Sequence, residues 1–378
     1  MTAPLAVLDV SEYYAPDSGG VRTYLHEKGR YAAAHPPVRQ VVVVPGPRYE
    51  AGLLNGMPMY QVPAPRIPFQ SSYRLLLRGD LLARIVAAER PSIIEAGSAY
   101  GVPWHAVRAA RRAGIPVVWF YHAHLPQILA PFPWLRAAAS RYVRAIAGRM
   151  DRVLVASESV RRDLAALGVE NTALTPLGVD TATFHPGRRE RRSETLGTLE
   201  LPDGPLVLYT GRFTREKELA SAVRSWVRVR TPGATLVLAG TGPRESELRD
   251  LAGPGIRFLP FQQDRAVMAD LCAAADLYLA PGPAETFGLS AHEAMACGTP
   301  VLSVDRGAVA DTVRAAGIGG CWVHGDGAMM AAEADHLLGV AASERNAARR
   351  YIESHHRWDI AFDRIFSVYT DVIAGTPA

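Results

Sequence analysis

Residues 277–304, LYLAPGPAETFGLSAHEAMACGTPVLSV, decide how the rest of the chain is read. Leu277–Ala280 is a short apolar run stopped by Pro281 and Gly282, the mark of a buried strand. A helix is expected from about Gly288 to Cys297, and Pro300 opens a second apolar strand. Gly298 stands where a helix end takes a residue at positive φ, and Pro300 bars the helix from continuing. Glu285 falls in the loop and Glu293 in the early turns of the helix. A helix start behind a glycine-containing loop offers unpaired N–H groups and a positive dipole end, which suit an anion such as phosphate. Two carboxylates beside that site repel an anion unless they bind hydroxyls while other groups hold the phosphate. A sugar nucleotide supplies both chemistries in one ligand. A buried strand–helix–strand unit with incidental surface acids is the plainer account of the same text.

Upstream, strand Pro205–Thr210 ends in Gly211, and Arg212 and Lys217 straddle the turn into a helix expected near Glu216. An arginine can grip a diphosphate bidentately and a lysine acts as a point charge, so the pair is placed to clamp one. Helix-start surface charges are the alternative. Strand Ala234–Gly240 runs into Gly240-Thr241-Gly242-Pro243-Arg244-Glu245. This mimics a dinucleotide fingerprint, but Glu245 holds the last glycine position and Pro243 opens the helix, which disfavours NAD. A strand at Ile256–Leu259 leads to Pro260-Phe261, and the terminal helix 358–373 carries Trp358, Phe362, Ile365, Phe366 and Tyr369 on one face.

The first half alternates strands and helices in the same way, with strands at 5–10, 40–44, 59–62, 92–96, 116–121, 152–156 and 172–175. That alternation means an α/β domain with a parallel sheet. Ser18-Gly19-Gly20 lies at a strand end and helix start, the ligand crevice of such sheets, where glycines let a diphosphate or hydroxyl approach the backbone. A plain tight turn explains it equally. His122 and His124 follow strand Pro116–Tyr121 on the same functional edge, and no third group at metal-ligand spacing accompanies them. Residues 63–72 read as an exposed proline-rich connector, 73–88 as a helix, and the arginine-rich residues 187–204 as a solvated interdomain stretch.

A chain of 378 residues, 48% hydrophobic and 21% charged, exceeds one core and implies two domains, 1–180 and 181–357, with 358–378 packing back on the first. No apolar run reaches membrane-spanning length, and no leader pattern is read at the start. Cys272, Cys297 and Cys321 are scattered and suit free thiols in a reducing cytoplasm. Residues 1–180 hold 20 Arg and Lys against 13 Asp and Glu, so the first half is basic. Within it, Arg136, Arg141, Arg144 and Arg149, with Arg108, Arg111 and Arg112, could make weak contact with an anionic membrane surface. A core-facing helix with a solvated arginine face is the simpler alternative. No nucleic-acid reader motif is present.

Glu285-Thr286-Phe287-Gly288, Glu293-Ala294 and Cys297-Gly298-Thr299-Pro300-Val301 resemble the E-x7-E signature of retaining, nucleotide-sugar-dependent glycosyltransferases of GT-B fold, such as bacterial phosphatidylinositol mannosyltransferases. Gly211-Arg212 through Lys217 resembles that family's G-R-x-x-x-x-K element, with Glu218 where a glycine is usual, and Pro176-Leu177-Gly178-Val179-Asp180 resembles its domain-crossing passage. The resemblance implies an α/β protein of two Rossmann-like domains facing across a cleft, with the donor on the second and the acceptor mainly on the first. It implies that Arg212, Lys217 and the backbone at Phe287, Gly288 and Leu289 neutralise a leaving diphosphate. Glu285 and Thr286 would lie near the sugar, Glu293 at the ribose, and Phe261 by the base. Gly19, Gly20 and Gly211 would approach the donor, and His122, with His124 in reserve, would meet sugar hydroxyls. The resemblance further implies front-face transfer with retention, without metal or pyridoxal phosphate. It favours GDP-mannose as donor, then UDP-glucose or UDP-N-acetylglucosamine. The acceptor would be a hydroxyl of a lipid, glycan or small molecule. The enzyme would be cytoplasmic or peripheral to the inner membrane face. A glycan phosphorylase, a nucleotide-sugar epimerase and a non-catalytic nucleotide-sugar-binding protein share the fold.

Overall fold

A computed structural model describes residues 5–15, 19–54, 56–67 and 70–375; Ser18 of the glycine loop lies outside them. The chain divides into two compact units, one of Met1–Pro176 with Trp358–Ala378, the other of Leu177–Arg357. The second unit begins before residue 181 because Val179 bridges to Arg357 and donates to the carbonyl of His356 at 2.7 Å.

The first unit is built on strands β1 (Ala6–Val10), β2 (Arg39–Gly46), β3 (Glu50–Leu54) and β4 (Met57–Pro63). A separate hairpin of β5 (Arg66–Ile67) and β6 (Gln70–Arg74) follows. Then come β7 (Ile93–Ala96), β8 (Val117–Phe120), β9 (Arg152–Val155) and β10 (Thr172–Leu174). The main sheet runs β10-β9-β8-β7-β1-β2-β4-β3, parallel except for the β3–β4 pair. Its inner strands are buried along their length, as parallel strands covered on both faces must be. The expected connector and helix at 63–88 are instead the hairpin and a later helix, Gly79–Glu89. Arg74 ties that hairpin down by donating to the carbonyl of Ala64 at 2.7 Å.

Under this sheet lies a buried charge cluster. Lys28 Nζ, fully buried, sits 2.5 Å from Asp9 Oδ1 and 3.2 Å from Glu95 Oε2, and donates to the Tyr369 hydroxyl at 2.7 Å. Asp9 and Glu95 are register partners on β1 and β7. Tyr369 brings in the helix Trp358–Ile373, which also stacks Phe366 on Tyr31 at 5.2 Å.

The second unit contains β11 (Leu206–Thr210), β12 (Thr235–Ala239), β13 (Ile256–Leu259), β14 (Leu277–Ala280), β15 (Val301–Val304) and β16 (Gly320–Trp322), all parallel. Leu206 and Leu208 pack into the core on one face, Val207 and Tyr209 into that on the other. The arginine-rich stretch at 187–204 is not a solvated linker. It forms a 3-10 turn at Pro186–Arg191 and a helix at Arg192–Thr198. Arg189 caps the helix Arg265–Ala274 by donating to the carbonyls of Ala273, Ala274 and Ala275 at 2.9–3.0 Å, and Arg188 pairs with Asp270 at 2.7 Å. Cationic side chains at a helix C-terminus meet its free carbonyls and negative dipole end.

Candidate functional site

The strand order of the second sheet, β13-β12-β11-β14-β15-β16, reverses direction between β11 and β14. That is the switch point at whose carboxyl edge an open α/β sheet receives ligands. The two loops leaving it, 211–218 and 281–288, close on each other. A Cβ on Gly282 would lie 3.1 Å from the Glu216 carbonyl oxygen and from Lys217 Cα, an approach tight enough to favour glycine. Across the junction Lys217 donates to Glu285, with 23% and 31% of their side chains exposed.

The glycines that mimic a dinucleotide fingerprint have a different task. A Cβ on Gly240 would meet the Gly211 carbonyl at 1.9 Å, and one on Gly242 the Phe213 backbone at 2.5 Å. Their loop instead grips residues 211–213: Gly211 donates to Ala239, and Phe213 to Thr241 at 2.9 Å, while Arg244 donates to Phe213 at 3.1 Å. Arg212 is thereby presented exposed at the edge, its carbonyl accepting from the Tyr209 hydroxyl at 3.1 Å. The helix expected near Glu216 starts later, as Leu219–Trp226 after a 3-10 turn at Arg215–Lys217. Glu218 caps it at φ 51°, ψ 26°, in the left-handed region that the usual glycine would occupy without strain. Its carboxylate meets His324 Nε2 at 2.6 Å.

On the other side of the junction, Gly288 caps the helix Leu289–Ala296 at φ 86°, and a Cβ there would lie 2.3 Å from Val309 Cγ2. The first N–H groups of an α-helix lack the acceptors that its later turns have, and such an end suits an anion; here the Ala291 N–H is bonded to the Gly288 carbonyl at 3.0 Å. Thr286 and Leu289 are half-buried and Phe287 is buried. Phe287 stacks on His292 at 3.9 Å. His292 is fully buried, and burial pushes its imidazole down to about 4, so the ring is neutral. Its Nδ1–H donates to the Gly288 carbonyl at 3.0 Å, which leaves Nε2 to accept from the Thr312 hydroxyl at 3.1 Å. His292 therefore braces the 285–288 loop from behind. Sequence reading passed over it, although a histidine one turn after Gly288 was a visible signal.

Glu293 sits deeper than an open ribose contact requires. It is 7% exposed, and Arg265 Nη1 lies 3.3 Å from its Oε1. Burial raises its carboxyl from 4.5 to about 7, the Arg265 guanidinium working the other way. Arg265 stacks over Phe184 at 5.0 Å and is the second residue sequence reading missed, having no spacing relation to Glu293. Phe261 follows β13 and lines a hollow of about 490 Å³ with Gly240, Thr241, Glu245, Arg249 and Phe258.

In the first unit, Gly19 caps the helix Gly20–Ala34 with φ −85°, and a Cβ there would meet no protein atom within 4 Å. Beyond its chain neighbours, the described residues therefore make no steric demand for glycine there. His122 stacks on Phe120 at 4.2 Å and lies 5.3 Å from Tyr24. Burial and the charge of Lys28 push it down to about 3, so it meets a partner as a neutral ring. Its Cδ2 is 3.7 Å from a Cβ built on Gly97, where β7 ends. His124 turns away to Asp163, Nε2 to Oδ2 3.0 Å, which gives it a structural partner. Among the described residues, no group of three or more His, Cys, Asp and Glu gathers as metal ligands would.

Two family models match the chain, Glycosyl transferases group 1 over residues 204–339 and Glycosyltransferase Family 4 over residues 18–183. The chain is 33% identical over 326 residues to a GDP-mannose-dependent alpha-(1-6)-phosphatidylinositol dimannoside mannosyltransferase of Mycobacterium tuberculosis, covering 81% of this chain and 84% of that one. It is 29% identical to a D-inositol 3-phosphate glycosyltransferase of Mycobacterium bovis, covering 94% and 80%. In structure it is similar to sucrose-phosphate synthase from Thermosynechococcus elongatus, with a TM-score of 0.78, 20% identity and coverage of 98% and 100%.

Proposed function

The chain belongs to the group 1, family 4 glycosyltransferases of GT-B fold, and from that premise we propose that it moves mannose from GDP-mannose to a hydroxyl acceptor with retention of anomeric configuration. The observation that carries the reading is the Lys217–Glu285 contact at the switch point, beside the mouth of helix Leu289–Ala296. A cation, a helix N-terminus and a carboxylate at one loop junction answer the three parts of a nucleotide sugar near its reacting bond. Lys217 and Arg212 neutralise the diphosphate as it leaves, and the N–H groups from Phe287 to Leu289 add their dipole. Glu285 accepts from sugar hydroxyls and orients the anomeric carbon. The departing phosphate oxygen takes the acceptor's proton on the same face as attack, so no enzymic nucleophile and no resident metal or pyridoxal phosphate is required.

Glu293 is assigned to the ribose, with Arg265 holding its carboxylate, and Phe261 to the base. His122, at the carboxyl edge of the first sheet, is assigned to a substrate hydroxyl. The name of the 33%-identical relative makes a mannosylated phosphatidylinositol the first acceptor to try, ahead of soluble glycans. The experiment is a donor panel of GDP-mannose, UDP-glucose and UDP-N-acetylglucosamine, read by thermal shift and donor consumption. NMR of the glycosidic linkage then reads the anomeric configuration. GDP-mannose should give the largest shift and an α-linked product; preference for a UDP sugar, or a β-linked product, overturns the donor or the stereochemical assignment.

A further inference from the structure

A second hollow, of about 700 Å³, opens in the second unit between the helix Leu219–Trp226 and the start of the helix Gly327–His355. Ser221, Arg224, Ser225, Arg228, His324 and Asp326 stand in its wall, and none of its lining belongs to the loops 211–218 and 281–288. The two helices are drawn together at Gly327, where a Cβ would lie 2.1 Å from Ser225 Oγ. That Cβ would also stand 3.5 Å from Arg228 Nη1, which places the guanidinium beside the first residue of the second helix.

The wall is cationic once its pairings are counted. Arg228 is exposed and, among the described residues, forms no ion pair. Arg224 reaches Glu247 only at 4.0 Å, and Arg244 grips that carboxylate through both oxygens. Asp326, the acid in the wall, is spent on its own helix: Oδ1 accepts from the N–H groups of Ala328 and Met329 at 3.0 and 2.9 Å. An arginine that no carboxylate neutralises, next to a second that is weakly held, is an arrangement that receives a phosphate dianion. The lining holds no Phe, Tyr or Trp on which a nucleobase would stack, while its serines suit the hydroxyls of a polyol.

We propose that this hollow binds the phosphate monoester of a sugar or small polyol, and that the ligand is coupled to the loop carrying Lys217. The coupling runs through His324. Its ring lines the hollow, and its Nε2 meets the Glu218 carboxylate at 2.6 Å. Glu218 follows Lys217 directly and makes the left-handed turn into the helix Leu219–Trp226. A ligand that fixes the His324 ring thereby fixes the turn behind Lys217. The site stands on the hollow alone; the coupling rests on the donor reading of Lys217.

The test is isothermal titration of the full chain with a hexose 6-phosphate, the free hexose and inorganic phosphate. The variants are Arg224→Ala with Arg228→Ala, Glu218→Gln, and Lys217→Ala, each checked for folding by circular dichroism. The ester should bind the parent, bind Lys217→Ala equally well, and lose about tenfold or more in the arginine double variant. No binding of the ester, free hexose that binds as tightly, or a double variant that binds like the parent overturns the site. So does a loss that appears in Lys217→Ala instead. Inorganic phosphate that binds as tightly as the ester overturns the choice of an ester. GDP affinity should rise about threefold with saturating ester in the parent and stay unchanged in Glu218→Gln. An unchanged GDP affinity in the parent overturns the coupling alone. Ester binding without any GDP binding is a failure of the donor reading, which takes the coupling down and leaves the site standing.

Discussion

Lys217 on the loop after β11 donates to Glu285 on the loop after β14, so the two loops that flank the switch point are held by opposite charges. Neither group is deeply buried, which leaves the pair worth little to stability. Its value is positional: each charge holds the other where a diphosphate and a sugar would meet them. Lys217→Ala should therefore lower kcat/KM for donor at least tenfold, about 1.4 kcal/mol of transition-state stabilisation, while the melting temperature changes little. Arg212→Ala should act in the same direction. Near-parental turnover in both variants defeats the clamp.

Glu293 gives a pH-dependent signature. Its carboxyl is raised in the folded chain from 4.5 to about 7, chiefly by burial. A raised acid binds its proton more tightly folded than unfolded, so its stabilising contribution is complete below 4.5 and is lost as pH rises through about 7. The corresponding free energy is of order 3 kcal/mol. Glu293→Gln should flatten the fall of melting temperature between about pH 5 and 7, and Arg265→Ala should move the fall to higher pH. Isothermal titration with GDP should show weaker binding to the Gln variant; an unchanged dissociation constant removes Glu293 from the ribose.

How much of this was legible beforehand follows from the range of each interaction. The strand–helix alternation and the turn at Gly298 with φ 80° are local, and local pattern carried them. What local pattern left unread was tertiary. Gly240 and Gly242 look like phosphate-binding glycines because both tasks require a missing Cβ, and only the partner, here residues 211–213, tells them apart. The arginines at 188–192 look solvated because their acceptors are carbonyls and acids about eighty residues away. Strand β3 and the hairpin at 66–74 were hidden by Pro and Gly, which read as loop. Arg265 was invisible for the same reason, because its role exists only once Glu293 is brought beside it, whereas the position of His292 one turn after Gly288 was open to view and only its Thr312 partner was not.

Glu218 makes the backbone departure from the family pattern measurable. Held at φ 51°, a residue with a Cβ is strained by roughly 1–2 kcal/mol relative to an unstrained conformation. The hydrogen bond to His324 returns only part of this, because both side chains are about one-third exposed. Glu218→Gly should thus raise stability by about 0.5–1 kcal/mol in urea denaturation, and Glu218→Val should lower it by more than a typical surface substitution. A Gly variant less stable than the parent means that the His324 bond outweighs the strain.

Lys28 offers the strongest test of how the last helix is held. Its ammonium is fully buried between Asp9 and Glu95 and is the donor to Tyr369, whose own hydroxyl also reaches Glu95. Burial leaves Glu95 with a raised carboxyl, opposed by the Lys28 charge. Lys28→Met removes the one cation between two buried carboxylates and should cost about 3–5 kcal/mol. Tyr369→Phe removes the hydroxyl's bonds to the ammonium and to Glu95 but leaves the cation between its carboxylates, and should cost about 1–3 kcal/mol. Hydrogen exchange separates the two. In Lys28→Met, protection should fall by two to three orders of magnitude in β1 and β7 as well as in the helix Trp358–Ile373, a tenfold change for each 1.4 kcal/mol. In Tyr369→Phe the loss should concentrate in that helix, because β1 and β7 keep their lysine. Equal protection loss in the two variants means that Tyr369 is as integral to the strands as the lysine. Undiminished protection in Lys28→Met means the buried charges are not what binds helix to sheet.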